Sequence, residues 1–153
     1  MTPVALLEFD NVICDTLEYM HSVDSPFSFK NITEYEQRTM HYHAYAKVMI
    51  SILRQKNYSI HIYCRRKKFD CDGKIVNKWL LDNKFYYDQI HMLYGNEDIL
   101  NIISLSTYLI STSIDDAIRL KTYSVLSSAT IVACELNSNR HIPNYCDRVY
   151  YKF

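Results

Sequence analysis

Short apolar runs alternate with segments of helical periodicity along this chain, and this alternation constrains the fold more than any other feature. The runs at 4–9 and 58–63 are apolar or β-branched and are followed by polar residues, a pattern typical of buried strands. Segment 33–57 opens with the capping-box pair Thr33 and Glu36 and carries apolar residues at helical spacing as far as Asn57. Strands that alternate with helices favour a parallel sheet with helices on both faces. We predict strands at 4–9, 58–63, 89–93, 106–112, 129–135 and 148–152, helices at 33–57, 74–83, 98–103 and 115–121, and a loop with at most one helical turn at 11–31.

Length, charge and cysteine content limit the class of protein. The 153 residues fit one domain with one sizeable core. Lys and Arg number 17, as do Asp and Glu, so the formal net charge is zero and we expect no membrane and no nucleic-acid partner. No apolar run reaches the roughly 18 residues of a membrane span, and residues 1–9 lack a basic leader, so we expect a cytoplasmic location. The five cysteines are an odd number without a CxxC pair, which predicts free thiols at Cys14, Cys64, Cys71, Cys134 and Cys146.

The residues that follow each predicted strand form the candidate site, because ligands of parallel α/β sheets bind beyond the carboxyl ends of the strands. Three of the four strands are followed by acidic residues, whereas the second strand is followed by arginines. Clustered carboxylates repel each other unless a cation lies among them, and Mg²⁺ prefers oxygen ligands, so the sequence predicts a weak magnesium site. The candidates are Glu8, Asp10 and Asn11 after the first strand, Cys64, Arg65 and Arg66 after the second, Asn96 and Glu97 after the third, and Asp115 and Asp116 after the fourth.

At these positions the chain resembles the haloacid-dehalogenase (HAD) superfamily, in particular its small, nearly capless phosphatases and its deoxyribonucleotidases. The first motif of that family is a strand followed by Asp-x-Asp-Gly-(Thr/Val), and residues 8–12 read EFDNV. The second motif is a strand ending in Thr or Ser, where this chain has Cys64. The fourth is an acidic pair after a strand, matched by Asp115 and Asp116. The resemblance implies a single HAD-like, Rossmann-type α/β domain over 1–153 with a minimal cap at about 11–31.

The resemblance also implies a reaction. In the family, the first Asp attacks a phosphoryl group, and the second protonates the leaving oxygen and then activates water. Thr or Ser and a Lys hold the phosphoryl oxygens, and Mg²⁺ bridges the carboxylates and the phosphate. Carried over to this chain, the nucleophile, acid–base, hydroxyl and lysine positions are Glu8, Asp10, Cys64 and Asn96, and the metal ligands are Glu8, Asp10, Asp115 and Asp116.

Three of these positions depart from the family pattern. Glu8 is one methylene longer than aspartate, which moves the attacking oxygen by more than about 1 Å, and a misplacement of about 1 Å can cost roughly 100-fold in rate. Cys64 is a weaker hydrogen-bond donor than a hydroxyl. No lysine lies between residues 84 and 121, so Asn96 or Glu97 takes the third-motif position without positive charge.

We therefore expect a HAD-like protein with a degenerate phosphatase site, weak or inactive, that acts by binding a small phosphorylated ligand or a protein partner. In this interpretation Arg65, Arg66 and Asn11 contact the ligand, and Asn11 tolerates the left-handed turn of the glycine that it replaces. The alternative is a Mg²⁺-dependent phosphatase for a nucleotide or sugar phosphate. Simpler interpretations stay open for two features: the acidic pair at 115–116 can open a helix, and the basic run at 65–68 can be a solvated loop.

Overall fold

A computed structural model describes residues 2–23, 32–104, 106–133 and 148–151, the last strand by its backbone only. The strands are β1 (Val4–Glu8), β2 (Ser59–Cys64), β3 (Gln89–Met92), β4 (Thr107–Ser111), β5 (Ser128–Ala133) and β6 (Arg148–Tyr151). The helices are α1 (Thr16–Ser22), α2 (Glu34–Arg38), α3 (Ala44–Gln55), α4 (Lys74–Asp82) and α5 (Ile114–Tyr123), with a 3₁₀ helix at Ile99–Asn101. The strands form one sheet in the order β3-β2-β1-β4-β5-β6, and all neighbours are parallel, as predicted.

Two apolar cores cover the two faces of the sheet, and the alternation of side chains along β1 divides its residues between them. Ala5 and Leu7 point into the first core, which α3 and α4 complete from outside. Leu6 points into the second core, where it meets Ala117 and Leu120 of α5. The predicted arrangement of helices on both faces is therefore confirmed.

The order of the strands determines where a site can form. From the central β1 the chain adds β2 and β3 on one side and then returns to add β4 and β5 on the other. The strand order thus reverses at β1, and the crevice beyond the carboxyl ends of β1 and β4 is the usual ligand position in such sheets. The residues after β1, β2 and β4 meet at this edge.

Segment 33–57 forms two helices rather than the single helix that its periodicity predicts. The capping box is present and begins α2 as expected, but α2 ends after five residues. The next residues pair with the loop after β1: the Asp15 amide donates to the His41 carbonyl at 2.8 Å, and the His43 amide donates to the Ile13 carbonyl at 2.9 Å. Because these backbone groups are used in tertiary pairing, they are not available for helical hydrogen bonds, and a new helix begins at Ala44.

Two shorter segments also differ from expectation. Segment 11–31 contains α1, a helix of seven residues whose N-cap Asp15 accepts from the Glu18 amide at 3.2 Å. Residues 24–31 lie outside the described part of the chain, and so does part of the predicted cap. The helix predicted at 98–103 is a single 3₁₀ turn. No helix in the described ranges is long and apolar enough to cross a membrane.

Candidate active site

Asp10 forms a buried, two-pronged ion pair with Arg66 just beyond the end of β1. Arg66 Nη2 donates to Oδ1 at 2.5 Å and Nε donates to Oδ2 at 3.1 Å, and the two side chains are 3% and 2% exposed. The Thr16 hydroxyl adds a third donor to Oδ1 at 2.5 Å. Arg66 Nη1 in turn donates to Gln37 Oε1 at 2.6 Å. Both members of the pair are therefore charge-compensated and hydrogen-bonded inside the protein.

Burial beside the ion pair keeps two thiols protonated. Burial alone would lower the pKa of Arg66, but the charge of Asp10 raises it above its usual value, so the guanidinium stays charged. The Cys64 thiol donates weakly to Asp10 Oδ2 at 3.6 Å, and burial together with the negative charge of Asp10 raises the thiol pKa well above its usual value. Burial raises the pKa of Cys14 to about 12. Both thiols are protonated at neutral pH and poor nucleophiles.

Glu8 is not paired with a positively charged side chain of the described residues, in contrast to Asp10. Its Oε1 accepts three hydrogen bonds from the end of β4: from Ser111 Oγ at 3.0 Å, and from the Thr112 amide and hydroxyl at 2.8 Å each. No residue in the described ranges donates to Oε2 or forms an ion pair with Glu8. Burial raises the pKa of Glu8 to about 7, although the hydrogen bonds from Thr112 and Ser111 oppose the shift.

A chain of hydroxyl groups links Glu8 to a second carboxylate. Ser111 Oγ, which donates to Glu8, lies 2.7 Å from the Tyr63 hydroxyl. Tyr63 donates to Asp116 Oδ2 at 3.0 Å, and Arg65 Nη2 donates to Asp116 Oδ1 at 2.8 Å. Burial raises the pKa of Asp116, and Arg65 opposes that shift. Arg65, like Arg66, is thus paired with a carboxylate of the chain itself.

Two predicted site residues, Asn96 and Asp115, do not join these clusters. Arg65 Nη1 donates to the carbonyls of Tyr94 and Glu97, at 3.2 and 2.7 Å, and so ties the loop after β3 to α5. Asn96 in that loop is exposed, as is Asp115 in the first turn of α5. Neither side chain has a hydrogen bond to another residue of the described ranges.

Asn11 has a structural role in addition to any contact with a ligand. Its φ of 67° confirms the left-handed turn expected at the glycine position of the motif. The side chain is buried, and its Oδ1 accepts from the Leu17 amide at 2.9 Å. Asn11 therefore holds the first turn of α1 against the end of β1.

The residues predicted to hold Mg²⁺ do not fit that ion as they are arranged. Both oxygens of Asp10 accept from Arg66, and both oxygens of Asp116 accept from Tyr63 or Arg65. A divalent cation at either carboxylate would lie beside a guanidinium, which repels it. Within the described residues, no group of three or more His, Cys, Asp or Glu side chains could hold a metal ion.

Sequence reasoning missed five residues that build the two clusters. The positional rule that selected the residues after each strand could have found two of them, since Ser111 ends β4 and Thr112 follows it. The other three carry no local signal because they reach the site from a helix or from within a strand. The five are Thr16, Gln37, Tyr63, Ser111 and Thr112.

Comparisons with known proteins identify the fold. No protein-family profile and no curated protein matches the chain. Solved structures are similar: a HAD-superfamily hydrolase from Ehrlichia chaffeensis matches with a TM-score of 0.53 at 12% identity, over 86% of this chain and 88% of that one. A predicted phosphatase from Clostridium acetobutylicum matches with a TM-score of 0.59 at 12% identity, over 98% and 94% of the two chains. The chain has the HAD fold.

A third structure with the HAD fold is the D,D-heptose 1,7-bisphosphate phosphatase from B. bronchiseptica, solved with magnesium and phosphate. It matches with a TM-score of 0.59 at 11% identity, over 96% of this chain and 91% of that one. The similarity of all three lies in backbone architecture. The predicted HAD-like fold is therefore confirmed, and the chemistry of this chain has to be argued from its own side chains.

Proposed function

We propose that this HAD-fold protein does not hydrolyse phosphomonoesters and acts by binding a protein partner at the carboxyl edge of its sheet. The observation that carries the proposal is the buried ion pair of Asp10 with Arg66. In the reaction that the resemblance implies, the residue at position 10 must exchange a proton with the leaving group. Here its two oxygens accept from a guanidinium that is itself buried.

Freeing Asp10 for catalysis would be costly. Separating the members of a buried ion pair costs about 3–5 kcal/mol, which corresponds to a rate loss of roughly 100-fold or more. The guanidinium of Arg66 also supplies the positive charge that a Mg²⁺ ion would bring to Asp10. Arg66 already neutralises the carboxylate, so a Mg²⁺ ion would have to displace a cation that is covalently part of the chain.

Glu8 is equally unsuited to attack a phosphoryl group. Its pKa of about 7 means that a large share of the side chain is protonated near neutral pH, and the neutral acid is not a nucleophile. Its Oε1 is occupied by the donors of Ser111 and Thr112. The extra methylene displaces the attacking oxygen from the position that an aspartate would give it.

The side chains that would bind a phosphate group already form ion pairs within the chain. Arg65 and Arg66 are both paired with carboxylates of the chain, so a phosphorylated ligand would have to compete with Asp116 and Asp10 for them. This favours a protein partner over a small phosphorylated ligand. The same edge presents a surface suited to a protein, in which Lys67 lies over the half-exposed ring of Tyr94 and the loop continues into exposed residues at 68–69.

One observation favours the alternative of a Mg²⁺-dependent phosphatase. Oε2 of Glu8 has no donor among the residues described, so one oxygen remains for a ligand, and a structural neighbour was solved with magnesium and phosphate. An assay of the wild-type protein with Mg²⁺ on nucleotide and sugar monophosphates separates the two functions. We expect no turnover. Turnover of several per second that Asp10→Asn abolishes would overturn the proposal.

Variants that restore the family residues test whether the ion pair of Asp10 and Arg66 blocks catalysis. Glu8→Asp combined with Cys64→Thr and Asn96→Lys returns the family residues but leaves Arg66 on Asp10, so we expect this triple variant to stay inactive. Adding Arg66→Ser frees Asp10, and we expect measurable activity only then, provided that circular dichroism shows the fold intact. Activity in the triple variant would mean that the ion pair is not what blocks catalysis.

The binding surface has its own test. A photo-crosslinking amino acid at Tyr94 lies on the proposed surface, whereas the same group at Tyr123 lies at the end of α5, towards the other edge of the sheet. Both tyrosines are about half exposed, at 48% and 49%, so they are matched in accessibility. We expect a crosslinked protein from Tyr94 and none from Tyr123. Equal crosslinking at both positions would contradict a specific surface.

A further inference from the structure

Two histidines face each other on adjacent strands, away from the candidate active site. His61 of β2 and His91 of β3 approach with Nδ1 of the first 3.0 Å from Nε2 of the second. The parallel register pairs His91 with Tyr63, so the two histidines lie diagonally on one face of the sheet. Their ring centroids are 5.1 Å apart and the ring planes make an angle of 37°.

This part of the sheet is left partly open. The crossover from β3 to β4 contains a single 3₁₀ turn where a three-layer fold commonly has a full helix, and that turn packs against α5. His61 and His91 are accordingly only half-buried. Their other ring nitrogens, Nε2 and Nδ1, have no hydrogen bond within the described residues and are not among the buried unpaired atoms, so they are open to solvent.

We propose that His61 and His91 form a two-histidine chelate for a divalent transition-metal ion of tetragonal geometry, Cu²⁺ or Ni²⁺. Two nitrogens at about 2.0–2.1 Å from an ion and 3.0 Å apart subtend an angle of about 90–100° at the ion. That angle suits a tetragonal site, in which imidazole ligands are common. A tetrahedral Zn²⁺ would require a separation of about 3.3 Å. Water completes the coordination.

The protonation of the pair is compatible with metal binding. Burial lowers the pKa of His61, against the opposing charge of Asp88, and burial together with His61 lowers the pKa of His91. Both shifts favour the neutral ring, which is the form that binds a metal ion. The ring protons can then lie on the outer nitrogens, which solvent can satisfy, and this leaves the two inner nitrogens, 3.0 Å apart, as the ligands. A metal ion there replaces the N–H···N hydrogen bond that otherwise explains the 3.0 Å contact.

The test is a titration of the full chain with Ni²⁺ by calorimetry at neutral pH, using His61→Gln and His91→Gln. His41→Gln is the matched control, because His41 is exposed and bonded to Glu18. We expect each of the first two variants to lower the affinity at least about tenfold and the control to leave it unchanged. Equal affinity in all three variants would overturn the proposal, as would a wild-type protein that does not bind Ni²⁺.

A second measurement needs no variant, and so it holds even if one of the substitutions disturbs folding. Cu²⁺ is added in equimolar amount to wild-type protein that carries ¹⁵N only in its histidines. We expect electron paramagnetic resonance to report coupling to two imidazole nitrogens. Coupling to one or none would mean that the ion binds elsewhere and that the histidines are a hydrogen-bonded pair.

Discussion

The two carboxylates at the end of β1 lie in opposite electrostatic environments. Asp10 is compensated by a guanidinium of the chain itself, in a pair that excludes solvent. Among the residues that the structure describes, Glu8, two residues earlier, receives only neutral donors, from Ser111 and Thr112, and its pKa rises to about 7. Both are partly or fully removed from water, so the difference comes from the presence or absence of a cation.

The comparison shows two ways in which a protein can accommodate a buried acid. A carboxylate removed from water must be paired with a positive charge or must bind a proton. Pairing leaves Asp10 without a free carboxylate oxygen, because both of its oxygens accept hydrogen bonds from Arg66. Protonation leaves the Glu8 region responsive to pH. The two regions should therefore respond differently to substitution, and the following variants are ordered from the largest expected effect to the smallest.

Removing Arg66 should have the largest effect. Arg66→Met leaves Asp10 as a buried charge without a counter-charge, and we expect the free energy of unfolding to fall by about 3–5 kcal/mol in urea denaturation. The double variant Arg66→Met with Asp10→Leu removes both charges and should recover most of that loss. A single variant that loses less than about 1 kcal/mol would mean that Asp10 is hydrated rather than paired.

Glu8→Gln should stabilise the protein at alkaline pH. Folding raises the pKa of Glu8 from 4.5 to about 7, so between these values the native state binds more protons than the unfolded chain. The stability contributed by the protonated acid is present below pH 4.5 and is lost as the pH rises through 7. A neutral amide avoids this loss, so we expect the variant to be more stable than wild type at pH 8 by roughly 1–3 kcal/mol.

The pH dependence supplies the control for this prediction. The advantage of Glu8→Gln should shrink towards zero as the pH falls below 4.5, where Glu8 becomes protonated in both states. Asp115→Asn changes an exposed carboxylate nearby and should alter the stability by no more than about 0.5 kcal/mol at any pH. A Glu8→Gln variant with a pH-independent effect would show that the side chain remains ionised in the folded protein.

Tyr63→Phe should have a moderate effect, confined to the Glu8 region. The change removes the hydroxyl that donates to Asp116 and contacts Ser111, both of which are buried. We expect a loss of about 1–2 kcal/mol in thermal or urea unfolding, since Oδ2 of the buried Asp116 then loses the donor that Tyr63 supplies. Combined with Arg66→Met the losses should add, because the two regions share no hydrogen bond. A coupling energy above about 1 kcal/mol between the two substitutions would show that the two regions form one network.

Cys64→Ser should have the smallest effect. A hydroxyl is a better donor to Asp10 than the thiol, but Asp10 already accepts from Arg66 and Thr16. We expect the free energy of unfolding to change by less than about 1 kcal/mol. A larger gain would indicate that Asp10 still has a lone pair without a donor.

The sequence predicted the fold well because the fold depends on patterns that are local. Apolar runs and helical spacing identified all six strands and their order of alternation with helices, and the positive φ of Asn11 followed from the motif. The single helix over 33–57 was wrong, since its interruption depends on backbone pairing with Asp15 and Ile13, which are far away in the sequence. Cys14, Cys64 and Cys71 are free as predicted, whereas Cys134 and Cys146 lie outside the described residues.

The sequence by itself determined which charged residues follow the strands at the carboxyl edge of the sheet, because in a parallel sheet each strand ends at that edge. Only the tertiary structure decided how they pair. Arg65 and Arg66 are consecutive in sequence, yet one binds Asp116 beside α5 and the other binds Asp10 beside α1. Coulomb energy falls with distance and depends on burial, so a pairing between charges more than fifty residues apart can be read only from their positions in space.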